Sequence, residues 1–519
     1  MSGKTIGDLL RDSASLAPER TAIIADDGRL SYRELNDDAN RFANALLARG
    51  LGAGRTVAIL SPNRAAYAIF YFGGARAGVL QAHLSVRYTA SDLVEVMGRT
   101  GVDTVFVDPT LLPVMNEARA SLPALKTVVV FSGNRGDNDH SGVVDFESFL
   151  GDAPGSPPEI EIDASAPYCI TFTGGTTGHP KGVVATQAAR VLSSEIAWDA
   201  FSLSSEDIVF LATPLFHVAG LFSWFSSGIY GGCTFALMDR WDGGEFLRRA
   251  EREGVTAACM VPTQINDFMH HPTLDPTKLP AFGYINYGGS PTPEALLKRV
   301  FEYFPKLRMF EHYGQSEIGP ACYRPPEYAL SKWNSVGRPF DELKLEIRDP
   351  EAHALPQGEV GEVTVRADYL FLEYYKDPEQ TAAATTHDGW LKTGDLGYLD
   401  KEGFLFLVDR SKDLIISGGE NIYPAEIENA LYDHEAVAEA AVFGIPDDKW
   451  GELPAAHVVL RSGKQVSAEA LIDFVASRIS RHKRPRLVEI VDTLPKTAIG
   501  KIRKNVIRAR YWEGRERAI

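Results

Sequence analysis

The segment from Thr171 to Val183, TFTGGTTGHPKGV, concentrates residues that could bind a phosphate group. Its glycines let backbone N–H groups curl around an anion, its threonines offer hydroxyl donors, and Lys181 offers a positive charge. It is not a Walker A loop, G-x-x-x-x-G-K-[ST], because a glycine follows the lysine and the hydroxyl that would hold Mg²⁺ is missing from that position. Composition alone leaves phosphate binding and an ordinary surface loop both open.

This segment lies within a long alternation of strand-like and helix-like patterns, with an apolar strand before it and a helix from about Thr186 after it. Apolar periodicity and capping residues predict helices over 5–16 and 31–50. Predicted strands cover 21–26, 56–61, 104–108, 127–131, 208–214 and 257–264. Such alternation predicts largely parallel sheets covered by helices, and residues 151–167 are too rich in Pro and Gly for a core element.

The pattern changes after about residue 410. A helix at 424–433, strands at 436–445 and 455–461, a helix at 467–480 and a basic tail predict a compact α+β unit. We therefore expect an α/β fold with a large N-terminal domain of helix-covered sheets over 1–410 and a small α+β C-terminal domain over 413–519. The boundary falls close to Ser411–Lys412.

Composition excludes several classes of protein. With 53 basic and 69 acidic residues the formal net charge is -16, which argues against broad binding of nucleic acid or anionic membranes, although RHKRPR (481–486) is a local basic patch. The four cysteines show no CxxC or metal-ligand spacing and are expected to be reduced core thiols in the cytoplasm. The N-terminus is too polar for a signal peptide, and no run of 18 apolar residues predicts a membrane span.

The glycine-rich segment resembles the signature T-S-G-T-T-G-x-P-K-G-V of the adenylate-forming superfamily, which includes acyl-CoA synthetases, peptide-synthetase adenylation domains and luciferases. It departs at Gly174, where serine is usual, and at Gln187, where histidine commonly follows the threonine. Six further stretches resemble the remaining motifs in the same order: PLFHVAG (214–220), YGGSPTPEAL (287–296), EHYGQSEIG (311–319), GWLKTGDLGYLDKEGFLFLVDRSKDLI (389–415), SGGENIYPAEIE (417–428) and LPKTAIGKIRK (494–504). The resemblance covers essentially the whole chain.

This resemblance implies an enzyme that uses ATP and Mg²⁺ to adenylate a carboxylic acid. Residues implied to bind ATP or AMP are Thr173, Gly174, Gly175, Thr176, Thr177, Gly178, Lys181, Gly289, Ser290, Pro291, Glu311, His312, Tyr313, Ser316, Asp395 and Arg410. Lys501 and Glu317 are implied to be catalytic, with Glu317 and Thr177 as ligands of Mg²⁺. Lys496 and Lys504, by contrast, are expected to be solvated surface lysines.

The resemblance also implies a second half-reaction, in which CoA takes the acyl group. Residues 411–412 are then a hinge, with Lys412 at its centre, about which a mobile C-terminal domain rotates. The residues implied to bind CoA are Gly418, Gly419, Trp450, Lys483 and Arg484. Because the thiol comes from CoA, no catalytic cysteine is expected.

The acyl pocket is implied to include His217, Val218 and Gly288. No Lys or Arg occurs between Leu203 and Asp239, so the pocket is expected to suit a medium-chain, alicyclic or aromatic acid. Dicarboxylates are disfavoured unless His217, His312 or a more distant arginine turns into the pocket.

The leading hypothesis is therefore an AMP-forming acyl-CoA ligase whose partners are an acid, ATP and CoA, with a homodimer left open. An enzyme that loads a carrier protein in trans is the alternative within the same fold. A non-catalytic nucleotide-binding scaffold is an alternative of another class, and a luciferase would need a specialised substrate that nothing in the sequence indicates.

Overall fold

A computed structural model describes residues 3–131, 143–173, 180–418, 420–496 and 502–513. Gly174, Gly175, Thr176, Thr177 and Gly178 lie outside these described residues, as do Gly419 and Lys501. The chain forms two compact units, a larger one of Met1–Lys344 with Arg366–Ala383 and a smaller one of Leu345–Val365 with Ala384–Ile519. Residues 384–410 thus pack within the smaller unit, whereas the hinge at 411–412 concerns motion and stays a prediction.

The helices are α1 (Ile6–Leu16), α2 (Tyr32–Ala48), α3 (Ala65–Ala77), α4 (Ala90–Thr100), α5 (Leu112–Arg119), α6 (Phe146–Leu150), α7 (Gln187–Phe201), α8 (Ser227–Tyr230), α9 (Gly243–Glu253), α10 (Pro262–Met269), α11 (Glu294–Tyr303), α12 (Pro378–Ala383), α13 (Pro424–Tyr432), α14 (Ala468–Ala476) and α15 (Lys504–Ala509). A π-helix, Ala219–Ser226, leads directly into α8.

The strands are β1 (Thr21–Ala25), β2 (Gly28–Ser31), β3 (Thr56–Leu60), β4 (Leu80–Leu84), β5 (Thr104–Val107), β6 (Thr127–Val130), β7 (Val144–Asp145), β8 (Pro167–Thr173), β9 (Lys181–Thr186), β10 (Ile208–Leu211), β11 (Thr234–Leu237), β12 (Ala257–Met260), β13 (Tyr284–Gly288), β14 (Arg308–Gln315), β15 (Gly319–Arg324), β16 (Arg338–Pro339), β17 (Lys344–Arg348), β18 (Gly361–Arg366), β19 (Glu373–Tyr374), β20 (Leu391–Leu399), β21 (Leu405–Arg410), β22 (Ile415–Ser417), β23 (Glu420–Ile422), β24 (Val437–Asp447), β25 (Gly451–Leu460) and β26 (Leu487–Ile490).

Two large sheets with parallel centres organise the larger unit. One has the strand order β16-β15-β14-β13-β12-β10-β11-β1-β2, and the other has the order β19-β9-β8-β4-β3-β5-β6-β7. Parallel pairing runs from β1 through β14 in the first sheet and from β8 through β7 in the second. The mixed α/β fold and the largely parallel sheets predicted from the alternating pattern are confirmed.

The smaller unit contains two sheets of mainly antiparallel pairing, β17-β18-β20-β21 and β23-β22-β25-β24, with β26 parallel to β25. Helices α13 and α14 contribute to the apolar core beside the second sheet, through Ile427 and Leu471 among others. The helices and strands predicted for 424–480 therefore all form, with ends that differ from the prediction by at most four residues.

Local sequence signals explain where the helices begin. At α2 the Ser31 hydroxyl accepts a bond from the backbone N–H of Glu34, and the Glu34 carboxylate accepts one from the N–H of Ser31 at 2.7 Å. This capping box satisfies two N–H groups that a helix start leaves without partners. The apolar run containing α3 is a buried helix of the core, and among the described helices none is long and apolar enough to cross a bilayer.

Gln187, which replaces the usual histidine, links three helices. Its side-chain oxygen accepts a bond from the backbone N–H of Ile6 at 3.0 Å, and its amide nitrogen donates to the carbonyl of Ala75 at 3.0 Å. This departure therefore serves packing of α1 and α3 against α7. The four cysteines, Cys169, Cys233, Cys259 and Cys322, are free and buried, as expected.

Candidate active site

Strands β8 and β9, on either side of the phosphate-loop segment, pair antiparallel. Thr173 and Lys181 face each other in register at the end of this pairing, and both are half-buried. The loop between them, residues 174–179, lies outside the described residues. The pairing of β8 with β9 thus fixes the backbone position of Lys181, the lysine of the glycine-rich segment that the sequence assigns to phosphate.

Tyr374 connects this lysine to the candidate metal ligand. The ammonium nitrogen of Lys181 lies 4.9 Å from the centroid of the Tyr374 ring, and the Tyr374 hydroxyl donates to Oε1 of Glu317 at 2.8 Å. Strand β19 holds Tyr374 in place by pairing with Val183 on β9. Burial and the nearby Glu317 carboxylate raise the pKa of Tyr374, so this hydroxyl stays protonated and acts as a donor.

Tyr374 was missed in the sequence because FLEYYKD contains nothing unusual in composition. Its role depends on residues 366–383 returning to the edge of a sheet of the larger unit. Glu317 itself is half-buried and has its backbone oxygen bonded to the N–H of Phe371 at 2.7 Å. A single carboxylate suits Mg²⁺, which takes one or two protein carboxylates and completes its shell with phosphate and water oxygens.

Several residues implied to bind ATP or AMP lie at the carboxyl ends of β13 and β14, where Gly288 and His312 are in register. Gly289, Ser290 and Pro291 are exposed just beyond β13, and Tyr313 on β14 is 8% exposed. The carboxyl edge of parallel strands is where open α/β sheets bind ligands. A Cβ at Gly288 would lie 2.2 Å from the carbonyl oxygen of His312, so only glycine fits.

Glu311 and His312, also predicted to bind ATP, have their side chains engaged inside the unit. Glu311 contacts the buried Arg324, and burial raises the pKa of Glu311 to about 7 against the opposing effect of that arginine. His312 Nδ1 lies 2.8 Å from Oδ1 of Asn286, and burial lowers the pKa of His312 to about 4. A neutral His312 cannot balance a second carboxylate.

Ser316, which is also predicted to bind ATP, is buried, and its carbonyl accepts a bond from Arg190.

The predicted acyl-pocket residues His217 and Val218 immediately precede the π-helix. Nδ1 of His217 accepts a bond from the N–H of Ala219 at 3.3 Å, and Val218 is 5% exposed. The π-helix buries Phe222 and Trp224, and the Trp224 ring meets His312 edge to face with centroids 5.2 Å apart. Single π-helical turns occur often at functional sites, and this one places aromatic side chains next to His312.

In the smaller unit, two of the residues implied to bind ATP or AMP, Asp395 and Arg410, are in contact. Asp395 on β20 pairs in register with Arg410 on β21, and the Arg410 Nε lies 3.2 Å from Oδ1 of Asp395. Lys412 is exposed in the short 3-10 turn after β21, and its carbonyl accepts a bond from Arg508 at 3.4 Å. Asp395 is 5% exposed, so a ligand would reach it only beside the more exposed guanidinium.

Two of the described residues predicted to bind CoA, Gly418 and Trp450, are in direct contact in the smaller unit. The N–H of Gly418 donates to the carbonyl of Trp450 at 2.7 Å, and a Cβ at Gly418, whose φ is +62°, would lie 2.7 Å from the indole. Trp450 is 46% exposed. Lys483 is already paired with Glu426 at 2.7 Å, so the half-buried Arg484 is the better candidate for phosphate contact.

One expectation about the lysines of the C-terminal motif is wrong. Lys504 is not a solvated surface residue, because its side chain is 16% exposed and lies 2.8 Å from Glu428. Burial acts to lower the pKa of Lys504, but Glu428 and Asp409 outweigh it and raise that pKa. Lys496 is more exposed and pairs with Glu439 at 2.7 Å.

Comparison with known proteins agrees with this geometry. The family model for AMP-binding enzymes matches residues 10–375, and the model for their C-terminal domain matches residues 426–501. The chain is 34% identical over 512 residues to long-chain-fatty-acid–CoA ligase FadD13 of Mycobacterium tuberculosis, covering 98% of this chain and 99% of the relative. It is 34% identical to indoleacetate–CoA ligase of Aromatoleum aromaticum over 95% of this chain and 96% of the relative.

A solved structure of o-succinylbenzoate CoA synthetase from Bacillus subtilis, in complex with its acyl-adenylate intermediate, superposes with a TM-score of 0.85. It is 30% identical and covers 100% of both chains. The fold, the ordered motifs and these matches together show that this chain belongs to the AMP-binding enzyme family, the AMP-forming acid–CoA ligases of the adenylate-forming superfamily.

Proposed function

We propose that this chain joins a carboxylic acid with an apolar body, of medium-chain, alicyclic or aromatic type, to the thiol of CoA through an acyl-adenylate. One arrangement carries the proposal: Tyr374 contacts both Lys181 of the phosphate-loop hairpin and the carboxylate of Glu317. A cation for the triphosphate and a ligand for Mg²⁺ are thereby held together by one side chain.

In the first half-reaction a carboxylate oxygen attacks the α-phosphorus of ATP, and pyrophosphate leaves with the bridging oxygen. In the second, the CoA sulfur attacks the acyl carbon, and AMP leaves. Charge builds on phosphate oxygens in the first step, so positioned cations are the main contribution of the protein. We assign that role to Lys181 and, on its motif, to Lys501.

The metal would be Mg²⁺, which neutralises phosphate charge when bound. Glu317 would hold it, together with Thr177 by the motif. The Tyr374 hydroxyl donates to Oε1 of Glu317 and so fixes the direction of this carboxylate. Outer partners of this kind orient the ligand of a metal and typically affect metal affinity by about 10- to 100-fold.

The acceptor is CoA, bound beside Gly418 and Trp450 in the smaller unit. The close contact of Gly418 with the indole leaves no room for a side chain there, so glycine is required to keep the backbone against Trp450. Asp395 and Arg410 are assigned to the ribose of ATP. We place the enzyme in the cytoplasm, because its four cysteines are free and buried, as expected where thiols stay reduced.

The test is AMP release by the full chain with ATP, Mg²⁺ and a panel of acids: octanoate, cyclohexanecarboxylate, phenylpropanoate, cinnamate and malonate. We expect CoA-dependent turnover with one apolar group. Turnover only with malonate would contradict the proposal that the substrate has an apolar body. Turnover only with a carrier protein would show that the carrier, and not CoA, is the acyl acceptor. Absence of ATP–pyrophosphate exchange with every acid would favour a nucleotide-binding scaffold.

A matched pair of variants tests the arrangement that carries the proposal. Tyr374→Phe removes only the hydroxyl that donates to Glu317, and we expect it to raise the Mg²⁺ concentration needed for half-maximal activity by about tenfold. Tyr375→Phe removes a neighbouring hydroxyl that donates to the carbonyl of Thr100 at 3.3 Å, and it should leave this requirement unchanged. An equal Mg²⁺ requirement in all three proteins would contradict the assigned role of Tyr374.

A further inference from the structure

The larger unit contains a completely buried arginine that has no negative partner within the part of this unit that the structure describes. Arg190 on α7 has an exposed fraction of 0%. The other buried arginines, Arg64, Arg249, Arg324 and Arg348, each lie within ion-pair distance of a carboxylate. Arg190 has no such carboxylate among the described residues. Since a guanidinium is always charged, its burial without a counter-ion is costly.

The contacts of Arg190 leave part of its hydrogen-bonding capacity unused. Nη2 donates to the carbonyl of Ser316 at 2.9 Å, and the guanidinium carbon lies 4.8 Å from the centroid of the Phe222 ring. Nε and Nη1 are buried and have no acceptor in the part of the chain that the structure describes. A buried donor without an acceptor costs the free energy of removing it from water.

The ionisable groups around Arg190 do not supply the missing charge. The positive charge of Arg190 acts to lower the pKa values of four neighbouring groups: Tyr71, Tyr168, Tyr369 and Cys169. Burial raises the pKa of Cys169 to about 12 and raises the pKa of each tyrosine above its ordinary value. All four are therefore neutral at physiological pH, and none of the described carboxylates lies within ion-pair distance of Arg190.

Arg190 lies between the two elements that a bound acid must approach. Phe222 belongs to the π-helix that follows His217 and Val218, and Ser316 precedes the candidate metal ligand Glu317. Gly319 ends the same turn with a φ of +85°, and a Cβ there would lie 2.9 Å from Nη1 of Arg190. The glycine thus leaves the space in which the guanidinium lies against this turn.

We propose that Arg190 binds a second carboxylate, at the end of the acid remote from the one that is activated, so that the substrates are dicarboxylic acids with an apolar body. The inference rests on the proposed function and deepens it by naming the substrate class. The aromatic wall accepts the body, and the guanidinium accepts the remote carboxylate through charge-assisted hydrogen bonds. It answers the sequence-based expectation against dicarboxylates, which had left open a distant arginine.

The preference for a dicarboxylic acid arises from the free-energy cost of binding an acid that lacks the remote carboxylate. An acid of equal length that ends in a methyl group would leave the guanidinium buried beside hydrocarbon with its donors unused. Sites built to hydrogen-bond a substrate group reject analogues that lack the group far more strongly than apolar pockets reject an extra methylene. Arg190 is thus proposed as the residue that determines specificity at the remote end.

The experiment compares two matched pairs of acids with the full chain: octanedioate against octanoate, and 3-(4-carboxyphenyl)propanoate against 3-phenylpropanoate. CoA-dependent AMP release gives kcat/KM for each. We expect wild type to prefer a diacid by about tenfold or more. Arg190→Met should reverse this preference, and Arg190→Lys should keep it in weaker form and gives the answer if the methionine variant does not fold. Arg324→Lys, at a buried arginine paired internally, is the matched control and should change both members of a pair alike.

Binding is measured separately, as the shift in melting temperature caused by the diacid without ATP. An Arg190-dependent shift supports the inference even if no acid is turned over, in which case only the proposed function fails. A wild-type preference for the monoacid would overturn the inference. An equal decrease in kcat/KM for the diacid and the monoacid in Arg190→Met would also overturn it, because Arg190 would then serve packing or bind the reacting carboxylate. No diacid shift, together with no turnover, would overturn both proposals.

Discussion

Two arginines of the larger unit, Arg190 on α7 and Arg324 on β15, are buried to the same extent and have opposite surroundings. Both have exposed fractions of 0%. Arg324 contacts Glu311, donates to the Tyr287 hydroxyl at 2.5 Å, and donates to the carbonyls of Lys332 and Ser335 at 2.6 and 3.0 Å. The guanidinium of Arg190, in contrast, donates one hydrogen bond to the carbonyl of Ser316 and lies over the aromatic ring of Phe222.

This difference in partners separates a structural arginine, Arg324, from an arginine that we propose binds a ligand, Arg190. Arg324 is neutralised by its own chain and ties β13 and β14 to the segment after β15. Arg190 adds little to the fold that would offset the loss of its hydration. Natural proteins keep such unfavourable groups mainly at functional sites, where stability is exchanged for binding.

The largest effect should come from breaking the internal pair. Arg324→Met leaves Glu311 as a buried carboxylate without a cation, and we expect unfolding free energy to fall by about 3–5 kcal/mol, measured by urea denaturation. Combining it with Glu311→Leu should recover much of the loss, because replacing both partners removes the uncompensated charge. A single variant within about 1 kcal/mol of wild type would show that Arg324 is not the structural member of the two.

The pH dependence of stability should distinguish the two regions next. Burial raises the pKa of Glu311 from its ordinary 4.5 to about 7, so between these values the folded state binds more protons than the unfolded state. This contribution to stability is fully present below pH 4.5 and is lost as pH rises through about 7. Melting temperatures measured from pH 4.5 to 8 should show this decline.

The control for that prediction uses one variant from each region. Glu311→Gln removes the titrating group and should flatten the decline by the contribution of Glu311. Arg190→Met should leave the decline as in wild type, because burial holds the pKa values of Tyr71, Tyr168, Cys169 and Tyr369, which interact with Arg190, above this range. A flattened curve in Arg190→Met would mean that the two regions are electrostatically coupled.

The sequence predicted the fold better than the site. The alternating apolar runs were sufficient for the largely parallel sheets, because these depend on local pattern and on neighbouring strands. The register that pairs Thr173 with Lys181 and the ion pair of Arg410 with Asp395 are features that only the structure adds. Lys501 and the glycines of the loop stay predictions of the motif.

The arginines could not be placed from the sequence, because burial of a charged side chain is decided by distant residues. Arg190 is the only charged residue in the first eight positions of α7, QAARVLSS, which is a weak signal of a buried cation. Its neighbours Phe222 and Ser316 follow 32 and 126 positions later. The absence of Lys and Arg from 203–239 therefore gave no indication of Arg190 beside the acyl pocket. Tyr374 and the burial of Lys504 likewise depend on contacts between remote segments.

A smaller effect is expected at Gly319. Alanine there must adopt a φ of +85° and place its Cβ 2.9 Å from Nη1 of Arg190, so we expect a loss of about 1–2 kcal/mol and a weaker preference for diacids. The stability loss, from urea denaturation, should be smaller when Gly319→Ala is made in the Arg190→Met background, where the guanidinium is absent. Equal losses in both backgrounds would show that only the backbone conformation matters.

The most direct measurement is the unfolding free energy of Arg190→Met without ligands, compared with wild type. Methionine keeps an unbranched, flexible apolar stem in place of that of arginine and carries no charge. If Arg190 is kept for a ligand, the variant should be as stable as wild type or more stable, by about 1–2 kcal/mol, as when other buried charges are replaced by apolar residues. A loss of stability comparable to that of Arg324→Met would show that Arg190 belongs to the fold and would contradict the account.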